Sequence, residues 1–306
     1  MRLRHPTKSL SHIYRKCVPI MANLVTSTPS VGGMLPVGHT GDLLLTALRE
    51  TSVAYDPRVA TQLIIDAHSV SLPVLTADAS GTWTPEATEL TESSPVFAEV
   101  VVTPSKVAAL SIVSSELAND SNPAVAATVG QSLAQGLAAS IDSALFAATT
   151  APNAPAGIGS LAGTSSVSAG AKWSSLDPLS DAMSIAEANG AQVTAVVTNY
   201  ADAKAISQIK ERTDSQRPLL GVEGDAATPG QRMAFGVPIL VSRWVPAGTA
   251  WAIPAARLFT VTRQDLTVES STDAYFSSDR VAMRGIARVG FAVTRPSTIT
   301  KIALSS

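Results

Sequence analysis

From Val125 onward an apolar residue falls at every fourth position: Val125, Val129, Leu133, Leu137, Ile141 and Leu145, with alanine filling most of the places between. The pattern predicts one uninterrupted α-helix over 123–147, roughly 36 Å long at about 1.5 Å per residue. Ser121 or Asn122 supplies an N-cap oxygen, and Pro123 stands at the first helical position, where a missing N–H costs nothing. Each step of four advances about 40° around a helix, so over five steps the apolar line winds roughly half-way round. Such a helix must touch material on several sides, partly its own sheet and partly something else. Gly130 and Gly136 cost about 1 kcal/mol each against alanine, which a close backbone approach would explain.

Composition bears on what that other material is. The 306 residues are 45% hydrophobic but only 15% charged, against about 25% charged in ordinary soluble domains. Low charge with abundant small apolar residues suits a surface consumed by contacts with copies of the same chain. The length allows two modest domains or one large one. Of the 22 basic residues, Arg2, Arg4, Lys8, Arg15 and Lys16 fall in the first twenty positions, where no acid occurs. A basic arm of this kind can lie on nucleic acid or on an acidic partner. Met21-Ala22-Asn23 offers a second start, which would make residues 1–20 no part of the native chain. Cys17 is the one cysteine, so neither an intramolecular disulfide nor a cysteine metal site is available. The four histidines, His5, His12, His39 and His68, lack metal-ligand spacing. No apolar run reaches the roughly 18–20 residues that span a bilayer, and Pro19 and Asn23 interrupt the one signal-like stretch.

Residues 21–41 are punctuated by Pro29, Gly32, Gly33, Pro36, Gly38 and Gly41 and read as an extended arm; 42–49 reads as a short helix. The stretch 71–97 has two proline-bounded strand runs, a turn at Gly81, and Glu86, Glu89 and Glu92, but few residues able to make a core. It is expected to project as a long hairpin, and long loops of this kind are usually functional. Trp83 near its tip has no evident internal partner and fits an interface anchor. Two strand-like runs over 97–114 follow, then the long helix and a Gly/Ala/Ser/Pro loop. Asp177-Pro178 opens a second helix that Asn189-Gly190 closes. A buried strand over 193–198 comes next, and Asn199 caps a third helix running to about Arg212. This is a separate small α/β layer. The last eighty or so residues are strand-rich, ending in DRVAMRGIARVGFAVTRP (279–296), where Arg284 and Arg288 share one strand face and Arg280 extends the row. Such a row faces carboxylates, its own or a neighbour's.

Catalysis needs a base, a nucleophile or a metal held together. No histidine follows His68, no Gly-x-Ser-x-Gly elbow and no Walker-type lysine occurs, and Gly157, Gly159 and Gly163 lack dinucleotide-loop spacing. The sequence assigns no catalytic residue, cofactor or metal. A hydrolase using Glu86 and Glu92 is the distant alternative, disfavoured because these groups sit in an open loop.

Taken in order, Trp83-x-x-Glu86, Glu92, Phe97, Lys106, VSSELANDS (113–121), the long helix with Asp142 near its end, GVPILVS (236–242) and DRVAMRGIARVGFAVTRP resemble the major capsid proteins of tailed double-stranded DNA bacteriophages, over roughly residues 21–302. The resemblance implies an α+β chain of the Hong Kong 97-like fold. Residues 1–50 would be an N-terminal arm and 66–103 an extended loop, the E-loop, lying over an adjacent subunit. Residues 51–65, 104–172 and 261–306 would form a peripheral domain with the long helix as its spine, and 173–260 an axial domain. Two departures stand out. No lysine occurs between Lys16 and Lys106, so covalent cross-linking through an E-loop lysine should be absent. At most about twenty residues precede the arm, so scaffolding should be a separate protein.

The expected function is a shell subunit, not an enzyme, that assembles into hexamers and pentamers of an icosahedral head enclosing double-stranded DNA, non-specifically bound. Its expected location is the virion, after assembly in the host cytoplasm. Portal, scaffolding and decoration proteins are the implied partners, and no membrane is. An encapsulin-like bacterial compartment shell is the alternative. The candidate inter-subunit residues are Trp83, Glu86, Glu89, Glu92, Arg280, Arg284 and Arg288.

Overall fold

The four-residue period does form one helix, α1, spanning Ala124–Phe146. The computed structural model describes residues 52–77, 81, 83–87, 89, 92–116, 124–212, 218–220 and 232–305. The expected arm over 1–50, the helix cap at 121–123 and most of the polar stretch after Arg212 lie outside the described residues. Along α1, Leu133, Leu137, Ile141 and Leu145 are buried, and the residue after each (Ala134, Ala138, Asp142, Phe146) is buried too. The line is thus a doubled stripe. It packs on β4 (Ser105–Ser114) and β11 (Arg280–Val293), while short turns at Val53–Tyr55 and Ile158–Ser160 close over its C-terminal half. The several-sided contacts demanded by the winding line are therefore supplied, for this half, by the chain's own segments and not by other copies.

The glycines of this helix and its following loop behave differently from one another. A Cβ at Gly136 would meet nothing within 4 Å among the described residues, so the close approach expected there is not made by any of them. A Cβ at Gly157 would lie 2.2 Å from the Ala144 carbonyl oxygen, and one at Gly159 2.3 Å from that of Phe146. The loop after the helix rides on its last turn, and only glycine allows that approach.

Three sheets follow the helix in importance. The first has the order β1-β10-β11-β4, with β1 (Thr61–Ile64) parallel to β10 (Leu258–Ser271) and the other pairs antiparallel. The sequence suggests two strands where β10 is one; its register shifts between Thr262 and Thr267, a bulge that absorbs the polar interruption Arg263-Gln264-Asp265. Gly285 of β11 lies under α1, where a Cβ would stand 3.0 Å from Leu137 Cδ1. The second sheet runs β5-β12-β9-β6-β8-β7, formed by Ser165–Ser168, Thr300–Ala303, Thr249–Ile253, Ala195–Thr198, Val237–Val241 and Arg232–Ala234. It extends past both bounds of the 173–260 layer, because β12 pairs with β9 on one side and β5 on the other. Its strands β6 and β9 send Val197, Trp251 and Ile253 into the core under α1. Its other face carries α2 (Asp177–Ala188) and α3 (Tyr200–Ser207) over Leu179, Ala182, Val196, Ile206, Ile239 and Ile302.

Helix ends match the sequence unevenly. Asn199 caps α3 by accepting the Ala201 N–H at 3.2 Å, but α3 stops at Ser207, short of Arg212. Asp177 is not a cap: it is the first helical residue, behind Leu176, and its own N–H goes to Ser175 Oγ at 3.4 Å. Gly190, at φ +73°, ends α2 as its position after Asn189 predicts.

Candidate assembly interface

The hairpin is a two-stranded ribbon, β2 (Val70–Ala77) against β3 (Val96–Val102), with Val70 opposite Val102, Leu72 opposite Val100 and Val74 opposite Ala98. Directly opposed residues share a face, so one side of the ribbon is wholly apolar. At its root that side packs on Leu63, Phe259, Val261 and Ala292. Farther out it overhangs an apolar groove of about 650 Å³, lined by Val74, Val100, Pro155, Leu161, Phe291 and Pro296 among others. Burial falls along β3 from Val102, which is buried, to Ala98, Phe97 and Val96, which are exposed.

Beyond the paired strands, Trp83 is 103% exposed relative to a free residue, so no described part of the chain shields it. Glu86, Glu89 and Glu92 are exposed as well. Neither this groove nor a second of about 260 Å³ beside Lys106 and Ser140 is lined by any of them. Among the described residues no group of three or more His, Cys, Asp or Glu could hold a metal, and no helix is long and apolar enough to cross a membrane.

The arginine row is assembled as its spacing requires. In the register of the four-stranded sheet, Arg280 opposes Ser114, Arg284 lies between Leu110 and Glu269, and Arg288 between Lys106 and Gln264. All three arginines stand on the face turned away from α1, since the alternate residues Gly285, Ala287 and Val289 face the core. Arg284 is hydrogen-bonded and ion-paired to Glu269. Arg288 and Arg280 form no ion pair among the described residues, and Arg288 meets a like charge, Lys106, directly across the strand pair. Like charges so placed repel, which leaves this face short of carboxylates. Leu110 and Ile112, 59% and 41% exposed, sit between the cations. Among the described strands, β4 is the edge of this sheet.

The structure therefore groups Arg280, Arg284 and Arg288 and groups the three glutamates on the hairpin, without joining the two sets. The partners the sequence did not single out are Glu269, Leu110 and Ile112. The last two lie in the run AALSIV, apolar but for Ser111, whose period-two exposure shows only once the strand is paired.

One buried site lies apart. Asp142 in α1, 4% exposed, accepts hydrogen bonds from Ser52 Oγ at 2.6 Å, Val53 N–H at 3.1 Å and Ala54 N–H at 3.1 Å. Burial raises its pKa above the ordinary carboxylate range, although these three donors and the charge of Arg243 pull the other way.

Residues 39–304 match the model of the phage capsid family. Among solved structures, the chain is similar to a capsid structure titled "Microbacterium phage Oxtober96", with 17% identity, TM-score 0.68 and coverage of 98% of this chain and 96% of that one. It is also similar to the capsid of a native GTA particle, with 19% identity, TM-score 0.64 and coverage of 96% and 100%. A virus-like particle from Pyrococcus furiosus matches at 14% identity and TM-score 0.59, over 87% and 98%. No curated protein sequence matches.

Proposed function

This chain belongs to the phage capsid family and has the Hong Kong 97-like capsid fold, and from that premise we propose that it is the major shell subunit of an icosahedral phage head. As a family member it is a structural protein of the virion capsid, working by self-assembly. In the proposal, hexamers and pentamers of the chain enclose double-stranded DNA held without sequence preference. Assembly takes place in the host cytoplasm with a portal protein, a separate scaffolding protein and, on some heads, a decoration protein. The proposed division is an arm over 1–50, an E-loop over 66–103, a peripheral domain built on α1 and an axial domain around 173–260, to which β5 and β12 belong by pairing.

The observation that carries the inter-subunit part is the mismatch between two surfaces of one chain. The hairpin offers Trp83, Glu86, Glu89 and Glu92 with exposed Val96 and Phe97; the sheet offers Arg280, Arg284, Arg288 and Lys106 with exposed Leu110 and Ile112. In the proposal the hairpin of one subunit lies on the sheet of the next, so each supplies the charge and apolar area the other lacks. Many modest contacts of this kind add up in a closed shell.

Expression of the full chain followed by negative-stain microscopy and light scattering tests the reading. Closed shells with encapsidated nucleic acid or competent to dock a portal are expected. Persistent monomers at every salt and crowding condition would overturn it, and shells holding a cargo protein in place of nucleic acid would establish the encapsulin-like alternative.

A further inference from the structure

We propose that Asp142 is a positioning residue that fixes the place and direction of the chain at Ser52–Ala54, the root of the arm proposed over 1–50. The argument starts from cost. A carboxylate at 4% exposure with no ion-pair partner among the described residues is expensive to bury, and its position in the α1 stripe is one where a leucine or alanine would fit the apolar pattern. The charge of Arg243 acts on the carboxylate, but that guanidinium lies over the Trp244 ring at 5.1 Å from its centroid. What the carboxylate supplies in return is direction. Oδ1 takes the Ser52 hydroxyl and the Ala54 N–H, and Oδ2 takes the Val53 N–H. Three consecutive residues are thereby oriented by one planar group.

Ala54 is fully buried, Ser52 is 3% exposed and Val53 packs on the core under α1, but Ser52 and Val53 have few hydrogen bonds to direct them. From Ala54 onward the strap is tied repeatedly: Thr260 Oγ1 donates to the Ala54 carbonyl at 2.7 Å, Gln62 Nε2 to that of Tyr55 at 2.6 Å, and Val59 and Ala60 are fully buried. Ser52 and Val53, outside their own turn, are hydrogen-bonded to the body of the subunit, among the described residues, through Asp142. Ser52 is the N-cap of the Val53–Tyr55 turn, yet its side chain makes no capping bond and is committed to the carboxylate. An arm that reaches a neighbour, as in the shell reading, needs a fixed root, and Asp142 supplies the hydrogen bonds that orient Ser52 and Val53 there. The second half of the test rests on the shell reading above; the first half does not.

The test compares wild type, Asp142→Asn, Ser52→Ala and Leu133→Ala. In the unassembled subunits, hydrogen exchange at the Val53 and Ala54 amides should accelerate about tenfold or more in Asp142→Asn, the loss expected for a charge-assisted bond. Ser52→Ala, which keeps both backbone bonds, should give an intermediate effect and serves if Asp142→Asn fails to fold. Leu133→Ala loosens the same helix elsewhere and should not single out residues 53 and 54. In assembly, Asp142→Asn should give aberrant or open shells where Leu133→Ala still closes normal ones. Exchange at 53 and 54 no faster than in Leu133→Ala overturns the proposal. So do Asp142→Asn shells of wild-type size and yield, because the bond would then hold the strap without steering it. Failure of wild type to assemble would count against the shell reading alone, leaving the exchange comparison standing.

Discussion

Two aspartates ninety or fewer residues apart, Asp56 and Asp142, illustrate how a single carboxyl is read by its surroundings. Burial raises Asp142, and its three donors only partly offset that; at Asp56 burial also pushes upward, but the hydrogen bonds and charge of Arg58 outweigh it and hold the carboxyl below its ordinary value. The consequences for stability have opposite signs. For Asp142, whose folded pKa is raised, the contribution is fully present below the ordinary carboxylate pKa and is lost as pH rises through the raised value. For Asp56 it is present above the ordinary pKa and lost as pH falls through the lowered one. On acidification, the urea midpoint of wild type should therefore shift in its favour relative to Asp142→Asn, whose side chain does not titrate. A flat difference across the carboxylate range would mean that the donors cancel the burial. At the same scale, Leu137→Ala should cost about 2–5 kcal/mol in equilibrium unfolding, because Leu137 is 1% exposed and rests on Gly285, which has no side chain to follow it into the void. The Ser52–Asp142 contact was not legible in the sequence: 90 residues separate the partners, and neither residue has a local pattern that names the other. Trp83 was legible, because nothing around it could have formed a core.

Among elements, what the sequence disclosed depended on how local the cause was. Helix α1 was plain since its apolar period and its alanines act within one turn. Asn199-capped α3 and the Asn189-Gly190 end of α2 were equally local. Less local features depend on a neighbour: the bulge of β10 accompanies its pairing with β11, and β12 joins the six-stranded sheet because β5 and β9 flank it. Gly136 gives a test at this scale. Its Cβ position is open and its helix interior favours alanine, so Gly136→Ala should stabilise the unassembled subunit by about 1 kcal/mol in urea unfolding. Defective shells from this more stable subunit would place a neighbouring chain against that face. Deleting 81–94 is the complementary experiment. None of the described residues of that stretch belongs to the three buried clusters, so the shortened subunit should keep its circular dichroism and melting temperature while losing shell closure.

For the whole molecule, the decisive quantity is charge placed on surfaces that do not meet within one chain. The glutamates of the hairpin are exposed, as are Arg280, Arg284 and Lys106 on the sheet, with Arg288 half-buried, and exposed pairs are screened within roughly 8–10 Å at physiological salt. Individually such pairs contribute at most about 1 kcal/mol, but a closed shell repeats each one at every subunit, so small terms multiply into a large effect on assembly. Reversing the hairpin with Glu86→Arg, Glu89→Arg and Glu92→Arg together should block assembly without altering the melting temperature of the subunit, as those side chains support no core. Reversing the sheet with Arg280→Glu and Arg288→Glu should block it likewise; Arg284 is left in place because Glu269 already engages it. Combining both reversals restores attraction between copies, and recovery of closed shells in the combined variant, seen by microscopy, is the expected outcome. If each reversal alone assembles normally, or if the combined variant is no better than either, the two surfaces do not face each other in the shell, and the arginines must answer to carboxylates elsewhere.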